Sequence, residues 1–219
     1  MTVCGRYRLR RHWEEDLDGY LRLVQDGIDV DDPRFAGSEE ARPTDPLPII
    51  RRDDARRPIV ELRRWGFILM VDGKSIDRAT GQPKRVRRDV INAMSEKLQS
   101  NYLWKWSFKE RRCLIPMSSW DEWPETGGGK QRVRVAMPSE PVFLAAGLYD
   151  ENVDPKSGNR VGVYTMCTVP PNEFLGTVHD RAPMVLLPSQ YDAWLDGGAD
   201  AWRLVGTHPD ASAFEVVPV

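Results

Sequence analysis

Cysteine and histidine are scarce in this chain. Its three cysteines, Cys4, Cys113 and Cys167, are widely spaced, which excludes a disulfide framework and a CxxC metal knuckle. The three histidines are His12, His179 and His208. Long apolar runs are missing too. The longest, Gly66 to Val71, falls far short of a membrane span, and the start, Met-Thr-Val-Cys-Gly-Arg-Tyr, lacks the apolar core of an export signal. A cytoplasmic protein without a membrane partner is the expectation. Strong net charge is also lacking: the total of -2 by itself argues against a nucleic-acid binder.

That total hides an asymmetry. Residues 1–134 hold 27 Lys/Arg against 22 Asp/Glu, and residues 135–219 hold 4 against 11. A local basic face can bind phosphates whatever the overall charge, because the binding free energy depends on nearby charges. The bland alternative is a solvated surface.

With 219 residues, 41% of them hydrophobic, the chain can bury a core, and it shows neither repeat nor linker, so one domain over 1–219 is expected. Trp13, Leu17, Tyr20, Leu21 and Val24 fall at helical spacing within 12–26. Residues 31–48 and 72–88 read as polar loops, and Val90 to Leu98 as either a short helix or an extended segment. Short apolar or alternating runs at 49–50, 58–67, 113–116, 132–137, 142–146, 161–169 and 183–187 read as strands, with a closing strand at 214–219. Ser189 is expected to cap a helix that Gly197 ends, followed by a short helix over 199–205. Many short strands and no βα alternation give an α+β fold: a strongly bent, barrel-like, mostly antiparallel sheet with peripheral helices.

Three clusters carry chemistry. Cys4-Gly5-Arg6-Tyr7 opens the chain. Glu122 lies between Trp120 and Trp123 at a predicted strand end, where lost hydration raises a carboxyl pKa toward the range useful for proton transfer. His179 precedes Asp180, as a base precedes its orienting carboxylate, although a structural His-Asp pair at a turn has the same pattern. Cys113 and Cys167 sit in apolar runs and read as core residues. Trp104 and Trp106 alternate beside Lys105 and Lys109, which suits either base stacking or a half-buried strand.

In order along the chain, Cys4-Gly5-Arg6-Tyr7, Arg42-Pro43-Thr44, Arg64-Trp65-Gly66-Phe67, Ile91-Asn92-Ala93 with Glu96, Arg111 to Pro116, Trp120-Asp121-Glu122-Trp123 and His179 to Pro183 resemble the SRAP family, the SOS-response-associated peptidase or abasic-site-processing domain. The resemblance implies a partner, single-stranded DNA with an abasic site, and a reaction. An N-terminal cysteine traps the ring-opened aldehyde as a Schiff base, and its thiol closes a thiazolidine. An α-amine with a pKa of about 7.7–8.0 is partly neutral near pH 7, as this step needs. By the same resemblance Glu122 moves protons, His179 protonates the sugar oxygen or activates water, and Asn92 holds the deoxyribose or Cys4. Arg6, Arg88, Arg112 and Arg181 would hold phosphates and Trp106 would stack on a base. The implied reaction needs no metal or cofactor, since a carbonyl condensation requires only proton transfers, and a monomer, of bacterial or phage-like origin and nucleoid-associated when bound to DNA, is expected.

The sequence departs from the family pattern in three places. Cys4 follows Met1-Thr2-Val3, so either the Val3 codon is the true start or the leader is cleaved at the Val3–Cys4 bond. Met94 stands where the family has an arginine, with Arg85, Arg88 or Lys97 as substitutes. Asp121 adjoins Glu122, either sharing its site or, by strand alternation, pointing away. Two other functional classes fit the same residues: a cysteine peptidase acting on other proteins, and a non-catalytic module for single-stranded DNA.

Overall fold

The computed structural model describes residues 4–17, 20 and 36–219. Strands β1 (Tyr7–Leu9), β2 (Ser38–Ala41), β3 (Pro46–Arg52), β4 (Pro58–Trp65), β5 (Phe67–Ile76), β6 (Pro83–Val90) and β7 (Asn92–Met94) fill the first half, with a one-turn helix α1 (Trp13–Asp16). Helix α2 (Tyr102–Glu110) then leads into β8 (Arg112–Met117), β9 (Ser119–Glu122), β10 (Glu125–Thr126), β11 (Gly129–Lys130), β12 (Val133–Ala136), β13 (Phe143–Val153) and β14 (Arg160–Val169). Two short strands β15 (Ala182–Pro183) and β16 (Val185–Leu186), helices α3 (Tyr191–Asp196) and α4 (Gly198–Leu204), and β17 (Glu215–Pro218) complete the order.

The sheet closes on itself, which gives the α+β, barrel-like fold expected. Pairing runs β14-β4-β3-β8-β13 and returns from β13 to β14. Most pairs are antiparallel; β14 runs parallel to β4 and β7. β8 is buried along its whole length, as its unbroken apolar run demands. A second, antiparallel sheet, β17-β12-β9-β1-β2, lies on this ring. The chain passes between the two at Ser118, whose N–H donates to Arg8 O (2.8 Å) while its Oγ accepts from Arg10 N (2.9 Å). Tyr7, Trp120 and Val135 turn inward into one continuous apolar core that also takes in Cys113 and Cys167.

Several sequence expectations give way. The loop expected at 72–88 is the tip and return of a two-stranded ribbon, β5–β6, paired from Phe67↔Val90 to Ile76↔Pro83 with a register shift between Asp72 and Ile76. Its cations hid the strand pattern; Arg87–Asp89 and Arg64–Asp89 ion pairs line it. Gly66 separates β4 from β5 with φ +118°, a conformation that side chains disfavour. The loop expected over 31–48 contains β2 and the start of β3; its residues 31–35 lie outside the described residues, as do Leu21 and Val24 of the expected 12–26 helix.

Residues 90–98 are extended through β7 and then a 3-10 turn at Ser95–Lys97. The aromatic alternation at 102–106 belongs to a helix. Asn101 caps it by accepting from Leu103 N at 2.9 Å, and the i,i+4 pair Trp104 and Phe108 is buried. Ser189 does not cap α3; a 3-10 turn at Pro188–Gln190 precedes it, with Gln190 Oε1 accepting from Leu187 N at 2.8 Å. Among the described residues no helix is long and apolar enough to cross a membrane.

Candidate functional site

Cys4 precedes β1 and Glu122 ends β9, the strand paired with β1, so 118 residues of chain separate two neighbours. The Cys4 backbone N–H donates to Glu122 Oε1 at 3.1 Å. Both residues are buried, Cys4 at 0% and Glu122 at 2% exposure. Burial pushes the Glu122 pKa from 4.5 up to about 8, against the Cys4 N–H bond, with the charges of Asp121 and Asp180 adding to the rise. The direction is the one expected for an acid flanked by tryptophans. Burial and Glu122 also raise the Cys4 thiol, which therefore stays protonated. The Cys4 backbone has φ +42°, a left-handed conformation unusual for a residue with a side chain.

Beneath Cys4, Tyr7 and Tyr164 share a hydroxyl hydrogen bond of 2.8 Å, and Trp65 packs on both rings. Trp65 Nε1 donates to Ile91 O at 3.1 Å, tying this cluster to the residue before Asn92. Asn92 opens β7 opposite Met166, half-buried. The His179 turn reaches the same end of β14. Arg181 forks onto Glu96 and donates to Thr168 O at 2.5 Å, so the segment after Asn92 and the segment after His179 are held together. His179 Nδ1 lies 2.7 Å from Asp180 Oδ1 and 3.1 Å from Arg181 N, and Nε2 is buried with no hydrogen-bond partner among the described residues. Burial lowers the His179 pKa against the pull of Asp180, which favours the neutral ring. The Asp180 charge acts on Glu122 as well, so this turn lies within electrostatic reach of the Cys4–Glu122 pair.

Asp121 points away from that pair, as alternation requires, and is fully buried against Arg132 (2.5 Å) and Arg134 (3.8 Å). On this outer face Arg6 pairs with Glu40 (2.5 Å), and the guanidinium carbons of Arg6 and Arg132 sit 5.3 and 5.9 Å from the Trp123 ring centre. This outer face thus carries an aromatic ring clasped by two cations.

The structure pairs Cys4 with Glu122 and with the Arg6 backbone, puts the Asp180 charge within reach of Glu122, and ties the segment after Asn92 to the His179 turn through Arg181. Arg88 lies apart, exposed on β6 of the ribbon that leads into β7, and Met94 is exposed at the far end of β7. Trp106 is 54% exposed on α2 with Lys109 over its ring at 5.8 Å. Arg112 is buried, its guanidinium donating to the carbonyls of Trp194, Phe108 and Lys109. Sequence reasoning passed over Tyr7, Trp65, Tyr164, Trp123 and Arg132 as site-building residues. Trp65 and Tyr7 stood inside quoted motifs, whereas nothing local signals Tyr164 or Arg132. Among the described residues no group of three or more His, Cys, Asp or Glu is arranged to hold a metal ion.

The fold and this cleft define a family. A family model described as SOS response associated peptidase (SRAP) matches residues 3–219, and the chain belongs to that family. Abasic site processing protein YoqW of Bacillus subtilis (strain 168) is 26% identical over 200 residues, spanning 89% of this chain and 80% of that protein. Abasic site processing protein YMR114C of Saccharomyces cerevisiae is 27% identical over 225 residues, 91% and 57% of the two chains. A solved structure from Bacteroides thetaiotaomicron superposes with a TM-score of 0.76 at 17% identity, covering 99% of this chain and 92% of that one. One from Bordetella bronchiseptica gives 0.73 at 19%, covering 99% of each. At these identities the two structures show the fold.

Proposed function

We propose that this chain processes abasic sites in single-stranded DNA by crosslinking to them through Cys4. The observation that carries the reading is the 3.1 Å contact between Cys4 N and a buried Glu122 whose pKa is about 8. Once Cys4 is N-terminal, its amine attacks the aldehyde carbon to give a carbinolamine. Glu122, as a shuttle, gives a proton to the departing hydroxyl and takes one back from the nitrogen, so that water leaves as the imine forms. The Cys4 thiol adds to the imine carbon, its proton passes to the imine nitrogen, and a thiazolidine closes. Aldehyde and aminothiol have then joined with loss of one water. A thiol held protonated suits this order, because amine attack comes first. His179, once protonated, gives that proton to the ring oxygen as the C1′–oxygen bond breaks and the sugar opens, and its lowered pKa returns it to the neutral ring; Asn92 holds the deoxyribose. Arg6 and Arg132, clasping Trp123, grip the flanking phosphates while the indole takes a base.

The same contact supports removal of residues 1–3 by the chain itself. Glu122 sits at the nitrogen of the Val3–Cys4 amide, where it can protonate the leaving amine, and the left-handed Cys4 backbone adds strain at that junction. Hydrolysis takes up one water and leaves the Val3 carboxylate and the Cys4 amine.

Single-stranded DNA with one abasic site, mixed with the protein, should give a denaturation-resistant adduct that is absent in Cys4→Ala. An adduct retained in Cys4→Ala contradicts the assignment. Binding that weakens steeply with salt while Cys4→Ala keeps its affinity marks DNA, not peptide, as the partner.

A further inference from the structure

Away from the Cys4 cleft, α2, α4 and the start of β8 enclose a cavity of about 370 Å³, walled by Phe108 and Trp202 and by Lys105, Lys109, Arg112 and Gln99. Arg112 is 8% exposed yet makes no ion pair with any described residue. It donates Nε to Trp194 O (2.7 Å) and Nη1 to Phe108 O and Lys109 O, whereas Nη2 makes no hydrogen bond to a described residue. A buried guanidinium held by carbonyls alone lacks a counter-charge, although the C-terminal ends of α2 and α3 that supply those carbonyls offset part of it.

Lys105 and Lys109, one helical turn apart, sit at the same cavity. Lys105 pairs with no acid among the described residues, and Lys109 divides its contacts between Glu110 (3.3 Å) and the Trp106 ring. Of the acids whose charge reaches Arg112, Asp196 is bound by Arg52 (3.1 Å) and Arg56 (2.9 Å), which leaves Glu110. Cations therefore prevail. Trp202, 46% exposed and edge-on to Phe108 at 6.1 Å, presents an open indole face.

We propose that this cavity binds an organic phosphate carrying a flat aromatic ring, of the size of a nucleoside monophosphate. The phosphate meets Arg112 Nη2, Lys105 and Lys109, and the ring lies on Trp202. The volume is at the small end of the range for ligand sites, and a phosphate supplies the anion that the buried guanidinium lacks. A free nucleotide and the phosphorylated end of a DNA strand present the same chemistry. The site shares no residue with the Cys4 cleft and does not depend on its reaction.

The test titrates the isotope-labelled full chain with deoxyadenosine monophosphate and follows the Trp202 indole N–H, assigned by its loss in Trp202→Phe. A saturable shift with a Kd of about 1 mM or tighter is expected, weakened at least about tenfold in the exposed Lys105→Glu/Lys109→Glu double variant. That variant leaves buried Arg112 in place, so its effect does not pass through misfolding, and its crosslinking to abasic DNA should be unchanged. Absence of a saturable shift, undiminished affinity in the double variant, or equal binding of inorganic phosphate would each overturn the proposal. Competition by a 5′-phosphorylated single-stranded hexamer assigns the strand end as the source, and its failure to compete assigns the free nucleotide.

Discussion

Glu122→Gln should make the protein more stable and less active, with a size that depends on pH. Gln keeps an oxygen to accept the 3.1 Å bond from Cys4 N–H and nearly the same volume, but it does not titrate. In the unfolded chain Glu122 loses its proton above pH 4.5; in the folded chain burial holds the proton to about pH 8. Folding between these values takes up a proton, so the stability this group contributes is complete below pH 4.5 and falls as pH rises toward 8. The slope is at most about 1.4 kcal/mol per pH unit, and the loss accumulated by pH 7 is about 3 kcal/mol. The Gln variant escapes that loss. Urea unfolding at pH 5, 6 and 7 should show its advantage over the parent chain growing by about 2.5 kcal/mol across the range. Both chains must retain residues 1–3, since a freed Cys4 ammonium beside Glu122 would hold its pKa down. Crosslinking by the variant should be slower by about a hundredfold. Parallel stability profiles would refute the burial argument; unchanged crosslinking rates would remove Glu122 from the proposed chemistry.

Three further outcomes follow from the packing. Tyr7→Phe removes the 2.8 Å hydroxyl bond and strands the buried Tyr164 hydroxyl; thermal or urea unfolding should report a loss of about 1–3 kcal/mol, and an unchanged midpoint would contradict it. Gly197→Ala places a Cβ 1.9 Å from Arg112 Nη2 at a backbone φ of +82°, so a loss of about 2 kcal/mol or more is expected in denaturation, and a neutral result would mean that Arg112 moves freely. Arg181→Met cuts the tie to Glu96 and Thr168 that holds the His179 turn; single-turnover crosslinking at saturating DNA should slow about tenfold, and an unaltered rate would show that the turn holds itself.

What the sequence made legible was local. The unbroken apolar run at 113–116 reads directly as a buried strand, and two tryptophans beside Glu122 announce its desolvation. The ribbon β5–β6 was hidden because a two-stranded arm with charged faces lacks the apolar alternation that marks a half-buried strand. Tyr102, Trp104 and Trp106 alternate as a strand would, while the residues that pack inward, Trp104, Ser107 and Phe108, follow helical spacing. The site's supports were the least legible. Tyr7 meets Tyr164 across 157 residues, and Arg132 reaches back over a hairpin to Asp121, so neither shows in a local window. Arg112 illustrates the converse: a cation in a basic stretch reads as a surface phosphate contact, yet its side chain turns inward because three carbonyls at helix ends await a donor.

The central claim is that Cys4, as an N-terminal residue beside Glu122, forms the covalent link. Intact mass measured before and after mixing with single-stranded DNA bearing one abasic site tests it most directly, on the full chain and on a chain whose initiator Met precedes Cys4. The account predicts a species equal to the Cys4-terminal protein plus DNA minus one water, and no such species with Cys4→Ala. A protein shown by its mass to begin at Cys4, yet giving no adduct with the abasic strand, would contradict it.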